Sequence, residues 1–184
     1  MLSQINNDHV KNLQRYQKVL FQRNSLLKNI KDGKSNEKEI EFWDNRLSEE
    51  AANIFFERNK IIKTIRKSSN EFAKNFNEKI DLNIKYLPKM GRNIENKFLE
   101  DEPSIDEIKL IFYESLKKTH LRDIDQRITT IGPHRDDFDI VFNDAPASIT
   151  ASRGQSRIIS LSLKLSEAKE IRNITKRKPV LILD

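Results

Sequence analysis

The sequence comprises 184 residues, of which 36% are hydrophobic and 34% are charged. The charged share exceeds the usual quarter of a globular protein, which favours much solvated helix surface over one large compact core. The chain contains no cysteine, so disulfides and thiolate metal sites are excluded, and a reducing cytoplasm is compatible with the composition. No apolar run is long enough to cross a bilayer and no signal-peptide pattern opens the chain, so we expect no membrane partner.

The net charge of +6 is unevenly distributed along the chain. Residues 1–100 contain 20 Lys and Arg against 14 Asp and Glu, whereas residues 101–184 contain 14 of each kind. A basic surface attracts phosphate backbones. The candidate DNA contacts cluster around a predicted turn and are Lys28, Lys31, Lys34 and Lys38. A solvated helix face with surplus lysine is the alternative interpretation.

The first eighty residues predict two long helices. Apolar residues spaced by three and four predict the first helix from about Asp8 to Lys31, with Arg23 interrupting its apolar face. A turn with Gly33 follows, and a second apolar stripe predicts an uninterrupted helix from about Asn36 to Ile80. That stripe comprises Ile40, Trp43, Leu47, Ala51, Ile54, Ile61, Ile65, Phe72 and Phe76. A short turn favours antiparallel packing, so residues 1–80 predict a projecting helical hairpin.

Residues 81–127 predict a strand, a loop and a further helix. The alternating apolar residues of the strand are Leu82, Ile84 and Tyr86, and Pro88 ends it. Residues 89–102 indicate a loop. Ser104 and Glu107 have the spacing of a capping box, which predicts that a helix begins there.

The last third of the chain opens with a dense polar cluster between two predicted strands. The β-branched run 128–131 predicts the first strand, and the alternation at 138–142, followed by a turn at 143–144, predicts the second. The cluster consists of His134, Arg135, Asp136 and Asp137. These residue types suit a metal or acid–base site. The alternative is a strand-entry turn whose side chains bond each other and the backbone.

A helix start with the character of a phosphate site follows at Ser152, Gly154 and Gln155. The free N–H groups and the dipole of a helix N-terminus suit a phosphate, and a glycine permits close approach of the backbone. An ordinary serine N-cap is the alternative. The helix is predicted from about Gln155 to Asn173, and its predicted buried stripe is Ile158, Leu161, Leu165, Ala168 and Ile171.

The sequence closes on an apolar run at 179–183 followed by Asp184. A fully apolar run predicts a strand buried on both faces, as in a parallel sheet. Ligands of such sheets bind at the carboxyl ends of the strands, so Asp184 is placed to hold Mg²⁺ through water. Apolar strands followed by an aspartate are common, so the order of the motifs carries more weight than this one motif.

The order of these motifs resembles that of the signature and Walker B elements of ABC-type ATPases. The residues within them resemble the RecF family of bacterial DNA repair ATPases. The segments that carry the resemblance are GPHRDD at 132–137, AS-x-GQ-x-R at 151–157, LSLKL-x-E at 161–167, PVLILD at 179–184 and the first helix over 13–28. The resemblance implies an α+β fold in three parts. These are a long antiparallel helical hairpin arm (1–80), a linking strand and helix (81–127), and part of an ABC-type ATPase head (128–184) that lacks the P-loop half.

RecF-like proteins are cytoplasmic, bind DNA and ATP, dimerise with ATP between their heads and hydrolyse it slowly. With RecR and RecO they support recombinational repair of gapped DNA, replication and the SOS response. The resemblance implies that Ser152, Gly154 and Gln155 contact the γ-phosphate of ATP held by the other subunit. It also implies that Asp184 acts at the Mg²⁺ of ATP bound to its own subunit. The resemblance strengthens the case for a functional role of residues 134–137, but it assigns them no step of the ATPase reaction.

The sequence departs from the family pattern in several places. No Gly-x-x-x-x-Gly-Lys-Ser/Thr motif occurs, and the second acid expected directly after Asp184 is missing. Arg153 stands where the family often has Gln, and Ser156 where a second Gln is common. We therefore expect ATP and Mg²⁺ to be cofactors of a longer protein, and no tight ATP binding or turnover by these residues alone. A structural helical-arm module and another SMC-like ATPase are the alternatives.

Overall fold

The computed structural model describes residues 2–90 and 103–181. The helices are α1 (Leu2–Ile5), α2 (Asn7–Lys31), α3 (Ile40–Lys74), α4 (Ile105–Gln126), α5 (Ala147–Thr150) and α6 (Arg153–Thr175), with a 3₁₀ turn at Glu37–Glu39. The strands are β1 (Leu82–Leu87), β2 (Asp137–Phe142) and β3 (Ala145–Pro146), which form an antiparallel sheet in the order β1-β2-β3. The described part of the chain is thus mostly helical with a small sheet, and none of its helices has the length and apolar character that a bilayer span requires.

The chain divides into two compact units, each discontinuous in sequence. The helical unit comprises Asp8–Arg58 and Leu87–Asp137, and it contains α2, the first part of α3, and α4. The strand unit comprises Met1–Asn7, Asn59–Tyr86 and Phe138–Asp184, and it contains α1, the second part of α3, most of the sheet, α5 and α6. The predicted division of the chain near residues 80 and 127 stays a prediction.

In the helical unit, α2 and the first part of α3 run antiparallel. Arg15 Nε donates to Glu50 Oε1 at 2.9 Å, and Arg23 Nε donates to Asp44 Oδ1 at 2.7 Å, so later positions of α2 meet earlier positions of α3. Gly33 has a φ of 71° in the connecting turn, as its lack of a side chain allows. The predicted turn at this glycine is confirmed.

Three helices contribute to the apolar core of the helical unit. Leu26 and Leu27 of α2 and Ile40 of α3 are buried together, and Ile124 of α4 packs against them. The predicted capping box at the start of α4 is present: the Ser104 side chain accepts from the backbone of Glu107, whose side chain accepts from the backbone of Ser104. Because α4 shares this core, the two long helices are not packed against each other alone.

The strand unit has a separate apolar core between the sheet and the helices. Ile159 of α6 is buried with Leu82 of β1, Phe142 of β2, and Ala73 and Ile80. The turn between β2 and β3 lies at 143–144, and both of its residues have positive φ values, 49° and 64°. This geometry fits a tight hairpin turn of Asn and Asp, so the predicted turn is confirmed.

The predicted strand at 128–131 is wrong, because this segment lies in irregular backbone and pairs with no strand of the described residues. Side chains of the helical unit take its N–H groups instead. Asn24 Oδ1 accepts from Thr129 N at 2.8 Å, and Asp123 Oδ1 accepts from Thr130 N at 3.1 Å. These side-chain acceptors replace a neighbouring strand, so the β-branched run satisfies its backbone without a ladder.

The second long helix ends earlier than predicted, at Lys74 rather than near Ile80. Asn77 Oδ1 accepts from Lys79 N at 2.9 Å, a local bond that competes with continuation of a helix. The turn delivers Ile80 to the core of the strand unit, where it is 6% exposed. Phe76, predicted as the last residue of the buried stripe, is 50% exposed beyond the end of the helix.

The buried face of α6 is rotated by one residue from the prediction. Its buried residues are Ile159, Ser162 and Ser166, whereas the members of the predicted stripe are partly exposed. One residue corresponds to about 100° around a helix, which follows from 3.6 residues per turn. The Ser166 hydroxyl donates to Ser162 O at 2.7 Å, so a hydroxyl can be buried on this face with its hydrogen bond made inside the helix.

The predicted strand at 179–184 falls partly outside the described residues, and Asp184 lies among the residues that are not described. Residues 179–181 form no strand, and Val180 is 88% exposed. Among the described residues no strand lies beside this segment, so nothing there supplies the ladder and the cover that a buried strand needs.

Candidate functional site

The start of α6 brings together the three residues of the predicted phosphate site. Ser152 is the N-cap, and its Oγ accepts from Gln155 N at 3.3 Å. Gln155 Oε1 accepts in return from Ser152 N at 2.8 Å. This reciprocal capping box satisfies N–H groups that a helix start otherwise leaves open, so the serine cap is present in the structure.

The capping box leaves hydrogen-bond donors at the start of α6. In the described part of the chain the two side chains use their acceptor atoms, so the Ser152 hydroxyl keeps its O–H donor and the Gln155 amide keeps its N–H donors. The N–H groups of Arg153 and Gly154 belong to the first turn, where a helix supplies no partner. Ser152, Arg153 and Gly154 are exposed. The site therefore presents donors and the positive end of the helix dipole, an arrangement that suits an anion.

Nothing among the described residues requires a glycine at position 154. A Cβ placed on Gly154 meets no atom within 4 Å, and its φ is not positive. Glycine in a helix costs about 0.5–1 kcal/mol relative to alanine, so the position has no stabilising reason of its own. Close approach by a ligand or by another chain would give this glycine a physical reason.

Two members of the polar cluster at 134–137, His134 and Asp136, bond to other parts of the helical unit, whereas Arg135 and Asp137 are exposed. His134 Nδ1 lies 2.6 Å from Tyr16 Oη, and His134 Nε2 lies 3.1 Å from the carbonyl oxygen of Thr129. Burial lowers the pKa of His134, and burial raises the pKa of Tyr16, so the neutral ring and the protonated phenol are favoured. The ring then donates from Nε2 to Thr129 and accepts from the Tyr16 hydroxyl at Nδ1.

Asp136 joins two other parts of the helical unit through its carboxylate. Its Oδ1 accepts from Lys89 N at 2.8 Å and its Oδ2 accepts from Arg58 Nη1 at 3.1 Å. The same Arg58 nitrogen donates to Pro133 O at 2.6 Å. The Asp136 side chain is only 4% exposed, so both oxygens are committed to holding the loop against α3.

Gly132 is required where it stands, in contrast to Gly154. Its φ is 122°, and a Cβ there would lie 2.6 Å from Tyr16 Oη and 2.9 Å from Phe112 Cζ. Its N–H donates to Lys89 O at 2.7 Å. The contacts of 132–136 thus fit the alternative in which these residues bond each other and the backbone. The described residues contain no group of three or more metal-ligating side chains.

The comparisons with known proteins point to one family. No model of a protein family matches the chain. The curated relatives include the DNA replication and repair protein RecF of Clostridium perfringens (37% identical over 183 residues), of Ruminiclostridium cellulolyticum (33% over 186 residues) and of Thermoanaerobacter sp. (34% over 183 residues). Each of these alignments covers 100% of this chain and 47% or 48% of the relative.

Solved structures give the same result. The structure of the recombination mediator protein RecF-ATP in the RecFOR pathway superposes with a TM-score of 0.89 at 33% identity, over 100% of this chain and 47% of that chain. The RecF-ATPrS structure gives a TM-score of 0.85 at 31% identity, over 95% of this chain and 45% of that chain. The chain is a RecF homologue. It spans about half the length of the curated relatives it matches.

In this RecF homologue, the lysines predicted to contact DNA are partly paired. Lys31 Nζ lies 2.6 Å from Asp125 Oδ1, and this bond lowers the pKa of Asp125. Lys34 Nζ lies 4.0 Å from Asp32 Oδ2. Lys28 and Lys38 are exposed. The four lysines therefore share the region of the turn with acidic partners, which compensate part of its positive charge.

The sequence interpretation missed a buried ionic network centred on Arg23. The side chains of Arg23, Asp44 and Asp123 are 0% exposed. Arg23 Nε donates to Asp44 Oδ1 at 2.7 Å, and Nη1 donates to Asp123 Oδ2 at 2.9 Å and to Thr129 Oγ1 at 2.8 Å. His120 Nε2 is hydrogen-bonded to the second oxygen of Asp44. This network ties α2, α3, α4 and the segment after α4 together.

One feature of the sequence could have indicated this network. Arg23 lies seven residues after Tyr16 and four before Leu27, on the apolar face of α2. Charged residues are almost never fully buried unless they are paired, so an arginine on that face predicts acidic partners in the core. The positions of those partners, 21 and 100 residues away along the chain, could not be found from the spacing.

Proposed function

We propose that this chain is the helical arm and the signature-motif half of the ATPase head of a RecF-type DNA repair protein. The full-length protein would bind DNA and ATP and dimerise with ATP between its heads. The observation that carries the proposal is the start of α6. Its exposed donors suit a phosphate, and Gly154 has no role within the described residues. Solved RecF-ATP and RecF-ATPrS structures are similar over 100% and 95% of the chain.

In this proposal the start of α6 acts on a nucleotide held by a second subunit. The Ser152 hydroxyl, the Gly154 N–H and the Gln155 amide would donate to the γ-phosphate. The capping box would hold both side chains in place before the ligand arrives, which lowers the entropic cost of binding. Asp184, outside the described residues, would act at the Mg²⁺ of ATP bound to its own subunit.

The finer architecture also belongs to this proposal. The antiparallel α2 and α3 would form the arm, and residues 128–184 would form the part of the ABC-type head that lacks the P-loop. The RecFOR pathway in which the similar RecF structures are placed supports RecO and RecR as partners. The protein would then support recombinational repair of gapped DNA, replication and the SOS response.

The test measures the mass of the full-length protein by sedimentation, with and without ATP and Mg²⁺. We expect ATP to drive the wild-type protein to a dimer and Ser152→Arg to remain monomeric, because a bulky cation would fill the place of the phosphate contact. Ser104→Arg is the matched control, since Ser104 caps α4 with the same reciprocal capping box. We expect that control to dimerise as the wild type does.

Two outcomes would contradict the proposal. Dimerisation of Ser152→Arg at the wild-type ATP concentration would reduce Ser152 to a helix cap and favour the structural-arm alternative. Loss of dimerisation in Ser104→Arg as well would attribute the effect to a lost capping box, which is worth about 0.5–2 kcal/mol, and not to a phosphate contact.

A further inference from the structure

Most of the basic excess of the first hundred residues lies beyond the predicted turn. Residues 1–58 contain 10 Lys and Arg against 9 Asp and Glu, whereas residues 59–100 contain 10 against 5. Within α3, residues 40–58 contain two basic and five acidic residues, and residues 59–74 contain five basic and one acidic. The sign of the charge therefore reverses along one helix, and the positive part belongs to the strand unit.

The positive part of α3 arranges its lysines on one face. Lys63, Lys67 and Lys74 follow each other at spacings of four and seven residues, with Asn70 between the last two. Such spacings place side chains on the same side of a helix. Eleven residues of helix cover about 16 Å at 1.5 Å per residue, so the lysines form a stripe and not a point charge.

Two adjoining grooves of the strand unit follow this stripe. One, of about 360 Å³, extends along α3 from Lys63 to Lys74 and reaches the chain at Asp81. The other, of about 380 Å³, lies between α3 and α6 and includes Lys169. Both share Lys63, Lys67 and Glu71, so they form one continuous basic surface.

The acidic residues of these grooves are already engaged. Glu71 is paired with Lys169 at 3.2 Å, and Asp81 Oδ1 accepts from the Asn70 amide at 3.1 Å. Glu170 Oε1 accepts from the Asn173 amide at 3.1 Å. Among the described residues, Lys67 and Lys74 form no ion pair and are exposed. The positive charges of Lys67 and Lys74 are therefore available to an anionic partner.

Arg66 adds a cation that is held in place beside the lysines. Its Nε donates to the carbonyl oxygen of Ile84 in β1 at 2.9 Å, which fixes the guanidinium against the sheet. Arginine has five N–H donors, so this bond leaves others for a ligand. Arg66 lines the groove along α3. A planar guanidinium that is already oriented loses little freedom on binding a phosphate.

We propose that this basic face, Lys63, Arg66, Lys67 and Lys74, binds the phosphate backbone of duplex DNA. The proposal rests on the proposed DNA-binding function and places the contact in the strand unit rather than at the turn lysines. No aromatic residue among those that the structure describes lines either groove. Surfaces for single strands usually add aromatic side chains on which bases stack, so the composition favours duplex recognition through phosphates.

The test compares duplex DNA binding by three forms of the full-length protein across a range of salt concentrations. The forms are the wild type, Lys67→Glu with Lys74→Glu, and Lys34→Glu with Lys38→Glu, which makes the same charge change at the turn. We expect the groove variant to bind about tenfold or more weakly, with a salt slope reduced by about two, because each lost phosphate contact removes about one from the slope. We expect the turn variant to keep the wild-type affinity and slope.

ATP-driven dimerisation, measured on the same proteins, separates the two proposals. A groove variant that dimerises normally but loses duplex affinity supports the basic face. Unchanged affinity and slope in that variant, or a loss confined to the turn variant, overturns the basic face and leaves the proposed function standing. A wild-type protein that binds no duplex DNA at all would contradict the DNA-binding part of the proposed function as well.

Discussion

The polar motif of the helical unit is bonded to other parts of that unit, whereas the polar motif of the strand unit is exposed to solvent. In the helical unit, His134 and Asp136 bond to Tyr16, Thr129, Arg58 and Lys89. In the strand unit, the side chains at the start of α6 bond to each other's backbone, and Ser152, Arg153 and Gly154 are exposed. Both motifs are equally prominent in the sequence. A polar motif of a family can therefore have a structural role, and the partners that its side chains bond to decide whether it does.

The two units also differ in the kinds of side chain that they bury. The helical unit encloses an arginine and two aspartates in its core, whereas the cluster that joins the sheet of the strand unit to its helices is apolar. Buried ion pairs depend on every partner being present, because a single remaining charge cannot be solvated. The helical unit should therefore be far more sensitive to loss of one charge, and the following predictions test that difference.

The largest effect is expected from Arg23→Met. This change leaves Asp44 and Asp123 buried without their cation, and removal of one partner of a buried pair costs about 3–5 kcal/mol. The free energy of unfolding in urea, followed by circular dichroism, measures it. Arg46→Met is the control, because Arg46 forms an exposed pair with Glu49 and such changes usually stay within about 0.5 kcal/mol. Equal losses in both variants would refute the role of the network.

A smaller effect is expected from His134→Gln, and it depends on pH. The pKa of His134 is lowered from its ordinary value of 6.5, chiefly by burial. As the pH falls, His134 is therefore protonated in the unfolded chain before it is protonated in the folded chain. The contribution of the neutral His134 ring to stability is complete above pH 6.5 and is lost as the pH falls below that value. Burial also lowers the pKa of His9, so the wild-type protein should lose stability on acidification by two routes.

His134→Gln removes one of these routes. The variant should be less stable near pH 7 by about 1 kcal/mol, the usual worth of a hydrogen bond such as that to Tyr16, and its stability should fall less steeply towards pH 5. Thermal unfolding midpoints between pH 5 and pH 8 measure both quantities. An identical or steeper fall in the variant would show that His134 does not enter the fold in its neutral form.

The features that could be predicted from the sequence are those that local bonds decide. The capping box of Ser104 and Glu107, the turn at Gly33 and the turn at 143–144 each need only a few neighbouring residues. The start of α6 belongs to the same class, because Ser152 and Gln155 are three positions apart. Such patterns have one low-energy arrangement, whatever the rest of the chain does.

The features that could not be predicted are those that distant residues decide. Asn24 supplies the bond that keeps 128–131 out of a sheet, and it lies 105 residues away from Thr129. The buried face of α6 depends on which side meets the sheet, and apolar residues occur on both sides of that helix. The functional meaning of Gly154 could be stated only after its surroundings were known to be open.

The two glycines offer the most direct test of the contrast between the units. In the full-length protein, Gly132→Ala should destabilise by about 2–6 kcal/mol, since backbone strain and overpacking each cost about 1–3 kcal/mol. Gly154→Asp should leave the unfolding midpoint unchanged or slightly raised, because an acid in the first turn of a helix is favourable. It should nevertheless abolish the ATP-driven dimer, because its carboxylate would repel the phosphate.

The decisive measurement is therefore the unfolding midpoint and the ATP-dependent sedimentation mass of Gly154→Asp, on one preparation. A stable protein that stays monomeric with ATP and Mg²⁺ is the result expected from a signature site that faces a second subunit. A stable protein that dimerises like the wild type would contradict it and leave the start of α6 as an ordinary helix cap.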